Sequence, residues 1–136
     1  MSGSTFKPPA LYTSKLEGAE LAGYQSIIIG SVRDPIILRQ LDSWLAGMTK
    51  AIKDRLCAVF GSDIESKYEF QIRVFGKDAT MGRLESEPKL GHEVGLLFQT
   101  TAQTQELATS IMKSVGHMAV HYPVPEWTGL ITSIAF

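Results

Sequence analysis

At 136 residues, with 44% hydrophobic and 20% charged side chains and a formal net charge of −1, the chain is long enough for one domain with a real core. It is too balanced for a disordered segment or a polyanion-binding surface. The single cysteine, Cys57, leaves no internal disulfide, and no apolar run approaches the ~18 residues that cross a bilayer. The opening MSGSTFKPP lacks the apolar stretch of a signal peptide. Residues 1–9 read as a flexible lead and 10–136 as a single domain in a cytoplasmic setting, with no membrane and no nucleic acid among its partners.

LYTSKLEGAELAGY is mixed in pattern and allows a short strand around Lys15 to Leu21, whereas QSIIIGSV is a β-branched run that predicts a buried strand over about 24–32. Then Asp34 suits an N-cap, Pro35 the first helical position and Gly61 the residue just past the end. Between them Ile37, Leu41, Trp44 or Leu45, Met48, Ile52, Leu56 and Val59 or Phe60 recur every three or four residues, so one long helix is expected, its apolar stripe against a sheet. Tyr68, Phe70, Ile72 and Val74 alternate with Glu69, Gln71, Arg73 and the exception Phe75, and Val94, Leu96, Phe98 and Thr100 with Glu93, Gly95, Leu97 and Gln99, which predicts an antiparallel hairpin. A second helix is expected from about Ala102 to His121, stopped by Pro123 and Pro125. TGLITSIAF, about Thr128 to Phe136, reads as a last strand.

Strand, helix, strand, strand, helix, strand is the order of the ferredoxin-like split βαβ arrangement (βαββαβ), an α+β fold with both helices on one face of a four-stranded antiparallel sheet. Its open face is expected to carry Glu69, Gln71, Arg73, Phe75, Glu93, Leu97 and Gln99. Phe75 beside Leu97 suggests a contact surface for another domain or subunit rather than a purely solvated face. The KGFGFVxF-like aromatic run of an RNA-binding module is absent.

The hairpin connection, Gly76 to Gly91, exceeds the two to five residues usual for hairpins. Gly76, Gly82 and Gly91 can supply positive-φ turns. Lys77, Asp78, Arg83, Glu85, Glu87, Lys89, His92 and Glu93 nearly cancel in charge, as a solvated loop would. A catalytic reading takes His92 as general acid or base, Asp78 or Glu85 to orient it, and Lys77 or Arg83 to bind an anion. HExxH, CxxC, GxSxG and P-loop patterns are missing, His117 and His121 lack a third ligand, and neither a metal nor a cofactor is expected. Arg33 stays available to bridge to a partner beside the capping Asp34, and Cys57 reads as a small packed residue rather than a nucleophile.

Four blocks in order, KLEGAELAGYQSIIIGSVRDP, FGKDATMGRLE, GHEVGLLFQTTAQTQELA and PEWTGLITSIAF, resemble the C-terminal ferredoxin-fold domain of acyclic terpene utilisation (AtuA-like) proteins. In that family the domain follows a much larger N-terminal domain and continues past the final phenylalanine. The stop at Phe136, inside an apolar run, fits a domain cut from a longer protein or a subunit end covered by a partner. The resemblance implies a role in breakdown of acyclic terpenes or related branched acyl compounds and assigns no catalytic residue. What carries over is the patterned Arg33–Asp34–Pro35, the loop residues Gly76, Asp78, Met81, Gly82 and Glu85, and Gly91–His92–Glu93. It makes the large domain and a second copy the expected partners and an acyl group or acyl-CoA the expected ligand. Two other readings stay open: a small-molecule-sensing module, and a hydratase or isomerase using His92.

Overall fold

The structure, a computed structural model, describes residues 2–87, 89–126 and 133–136. The β-branched run and the two alternating runs form β1 (Tyr24–Val32), β2 (Tyr68–Phe75) and β3 (Val94–Ala102), joined antiparallel in the order β1–β3–β2, and β1 is buried on one face only, with Ile27 and Ile29 exposed on the other. The register sets four rows across the face that the helices leave open: Gln25–Thr101–Glu69, Ile27–Gln99–Gln71, Ile29–Leu97–Arg73 and Ser31–Gly95–Phe75. The alternate residues point the other way. There Val32, Val74, Val94, Leu96 and Phe98 join the stripes Ile37–Leu56 and Ile111–Ala119 in one buried cluster.

Three helices cover that inner face: α1 (Pro35–Arg39), α2 (Leu41–Phe60) and α3 (Gln105–His121). The Asp34 carboxylate accepts from the N–H groups of Ile36 (2.7 Å) and Ile37 (3.3 Å), closing two donors that the first helical turn leaves without partners. The expected single helix over 35–60 is broken at Gln40, which leaves helical geometry at φ −117° and ψ 19°. Its side-chain amide donates to the Ile36 carbonyl and to that of Pro125 (2.7 Å), so a tertiary contact sets the kink. The indole N–H of Trp44 likewise donates to the Pro123 carbonyl at 3.1 Å. A Cβ on Gly47 would lie 2.5 Å from the Tyr122 hydroxyl, so this mid-helix glycine is what lets the segment after α3 lie against α2.

The ferredoxin-like four-stranded arrangement is corrected by this topology: among the described residues the sheet is an open three-stranded one, flanked by three helices. Of the expected last strand, 128–132 lie outside the described residues, and 133–136 form no strand. Ala135 makes one antiparallel bridge, donating to the Ser31 carbonyl (3.0 Å) and accepting from its N–H (2.7 Å). Ile134 turns into the core across Gly30, where a Cβ would come within 2.5 Å of its side chain. Within the described residues 133–136, the apolar pattern reflects burial of Ile134 beside a single bridge to β1. The strand expected around Lys15 to Leu21 is also absent. Residues 2–22 run exposed and outside the sheet, because their apolar groups follow no period of two that one face could bury.

Candidate functional site at one end of the sheet

β1 ends at Val32 opposite the start of β3 at Val94, and β2 ends at Phe75 opposite Gly95. That register gathers Arg33–Pro35, the loop over 76–91 and Gly91–Glu93 at a single end of the sheet. Segments up to 60 residues apart in sequence thus share one surface, although β-sheet pairing alone decides it.

The loop is folded on itself. The Val74 carbonyl faces the N–H groups of Lys77, Asp78 and Ala79 at 3.1–3.3 Å, Gly82 donates to the Asp78 carbonyl at 2.7 Å, and Gly91 donates back to Gly76. Gly76 (φ 89°) and Gly82 (φ 55°) hold the left-handed geometry that makes these turns. Arg73, on the open face of β2, donates to the Ala79 carbonyl at 2.8 Å and lies 5.7 Å from the centre of the Phe75 ring. Lys77 pairs with Asp42 at the start of α2, tying the loop to the helical layer. Between them lies a cleft of about 250 Å³, lined by Leu38, Arg39, Gln40, Lys77 and Leu90 among others.

The expected site residues divide in two. Asp34 caps α1, Arg73 and Lys77 brace the loop, and Gly82 shapes it. Arg33, Phe75, Met81, Arg83, His92 and Glu93 are exposed, while Asp78 and Glu85 are half-buried. Leu97 stands half-buried on the open sheet face, in the row next to that of Gln71 and Gln99. No hydrogen bond or ion pair among the described residues joins His92 to Asp78 or Glu85; the Glu85 carboxylate instead accepts from the Glu87 N–H at 3.0 Å. An orienting partner for a histidine base is therefore not assembled among the described residues. Asp42 was not legible as a site residue: it lies 35 positions from Lys77, and no local pattern links them.

A cleft of about 540 Å³, larger than the one beside Lys77, opens at the opposite end of the sheet along the outer edge of β2, lined by Lys53, Glu65, Tyr68, Glu69, Gln71 and Gln99 among others. Its walls are polar and solvated. The one notable electrostatic feature nearby is that partial burial, together with the Glu65 carboxylate, pushes the Cys57 thiol up, away from the reactive thiolate. Burial, then Cys57 and Glu65, pushes Tyr68 up as well. Size favours this cleft and sequence pattern favours the other end. We weight the other end, where three patterned segments converge on a braced loop.

Among the described residues, no group of three or more His, Cys, Asp or Glu side chains could hold a metal ion; His117 and His121 stack at 4.9 Å without a third. No helix among them is long and apolar enough to cross a membrane. No family model, no curated protein and no solved structure matches the chain. The AtuA-like resemblance rests on the four sequence blocks alone.

Proposed function

We propose that the chain is an accessory docking module of a catabolic system for acyclic terpenes or related branched acyl compounds, which lends its 76–91 loop to a composite site on a larger domain. The observation that carries this is a loop braced from three sides, by Arg73, Lys77–Asp42 and Gly91–Gly76, with no acid–base pair assembled among its described residues. A braced loop that exposes Met81 and Leu84 among its charges suits contact with a partner that supplies the reacting groups, and a preformed contact surface loses little entropy on binding. An acyl group or acyl-CoA would then lie between loop and partner. The metabolic assignment rests on the family resemblance.

The test mixes the purified chain with the large domain of an AtuA-like protein and measures turnover of terpenoid acyl-CoA esters. Turnover is expected from the pair and not from the chain alone. It should fall at least tenfold with Gly82→Val, which a backbone at φ 55° tolerates poorly. Turnover by the chain alone that vanishes with His92→Ala would replace this reading with the hydratase or isomerase one. The polar cleft along β2 favours a second reading, a small-molecule sensor. For it, a thermal-shift response of the isolated chain to terpenoid acids or amino acids is expected, abolished by Gln71→Ala in the cleft wall.

A further inference from the structure

The open face of the sheet is divided along its length. Its first row is wholly polar, and the next three carry Ile27, Ile29, Leu97 and Phe75. Ile29 is 66% exposed and Ile27 51%, although both are β-branched residues that gain about 2 kcal/mol each when fully buried. Arg73, the one charge in these rows, is drawn aside by the Ala79 carbonyl and the Phe75 ring. A patch of this kind, on a pleated surface with no described residue across it, is built to be covered.

We infer that its occupant is a second copy of the chain, packed face to face about a two-fold axis that runs along the strands. Self-association demands a surface complementary to itself, and the row pattern selects the axis. An axis along the strands sets each row on the same row of the partner, so the apolar rows meet apolar rows and the polar row meets its own kind. β3 then lies on β3 and β1 on the partner's β2, and Arg73 faces an isoleucine rather than a charge. An axis across the strands fails either way. Centred on the whole face it sets the polar row on Phe75, and centred on the apolar rows it sets Arg73 against Arg73.

Area brings in the segment before β1. Three strands about 4.8 Å apart and eight residues long give a footprint of roughly 400 Å² per copy, about half of the ~800 Å² that a stable interface buries on each side. Residues 2–22 hold Phe6, Leu11, Tyr12, Leu16 and Leu21, each more than three-quarters exposed. With the axis along the strands, Tyr24 stands over the first residues of the partner's β2, about 10 Å away. The exposed arm is thus delivered beside the polar cleft on the partner's β2 edge and can supply the missing area. Both loops over 76–91 fall at the same end of the dimer.

This inference needs no metabolic assignment, and its failure leaves the docking reading of the loop untouched. Light scattering of the full chain is expected to give twice the monomer mass at about 100 μM, and the monomer mass for Ile29→Asp, with unchanged far-UV circular dichroism. In a Cys57→Ser background, Leu97→Cys and Thr101→Cys should each cross-link to itself through a bismaleimide that spans about 10 Å, the spacing of stacked sheets. A monomer at every concentration, a dimer that survives Ile29→Asp, or a Thr101→Cys protein that does not cross-link to itself, as either axis across the strands requires, would each overturn it.

Discussion

Thr100 stands in the middle of β3 with no exposed surface, and its hydroxyl has no hydrogen-bond partner among the described residues. A buried hydroxyl left without a partner costs about 1–3 kcal/mol, whereas an apolar group of the same shape does not. Thr100→Val keeps the branched shape and removes the oxygen. The variant is expected to gain about 1 kcal/mol, read as a raised urea midpoint with an unchanged slope; a loss would mean that the hydroxyl is paired. The strand alternation places Thr100 on the inner face, so its direction was legible in the sequence. Its isolation was not, because that depends on which side chains arrive from α3, where Thr109 turns to Ser26 instead. The same limit applies to Gly30. A glycine inside a β-branched run marks a close approach, but only the fold shows that Ile134 makes it.

Helical starts are written locally and helical breaks are not. Asp34 followed by Pro35 announces the beginning of α1; α3 was expected from about Ala102, the last residue of β3, and begins instead after Thr104, whose hydroxyl accepts from the Leu107 N–H at 3.2 Å. Gln40 gives no such signal, since glutamine is an ordinary helix former and its kink depends on a carbonyl 85 residues away. The apolar stripe continues across the kink, which is why periodicity alone joins the two helices. Asp34→Ala should therefore act at the level of one element. It removes the acceptor for two helical N–H groups and is expected to cost about 1 kcal/mol by urea unfolding, with the loss confined to α1 in hydrogen exchange. Faster exchange spread evenly over α2 and α3 would show that the cap does more than hold its own turn. Hairpin pairing of β2 with β3 was legible for a related local reason: two matched alternating runs flank one polar connection. The bracing of that connection by Asp42 and Arg73 was not.

At the scale of the molecule, the sheet order and the two exposed features follow from which apolar groups find a face. Strands β1 to β3 alternate and so bury one side, leaving the row pattern of the other side fixed by register alone. The arm over 2–22 has apolar residues without alternation, and no one-sided ladder can bury them. The four-stranded expectation was corrected at this scale because a short apolar run, read without its neighbours, does not reveal how its end is held; the described residues 133–136 make one bridge and bury Ile134. Removing residues 2–22 separates the two roles that the arm could have. In the monomeric Ile29→Asp background the truncation is expected to change unfolding free energy by less than about 0.5 kcal/mol, as for exposed residues away from any packed feature. In the otherwise unaltered chain the same truncation removes the part of the interface that the sheet face cannot supply, and the dimer dissociation constant should rise at least tenfold, about 1.4 kcal/mol. Loss of stability in the monomer would place the arm in the domain's own core, whereas an unchanged dissociation constant would confine the interface to the four rows of the sheet.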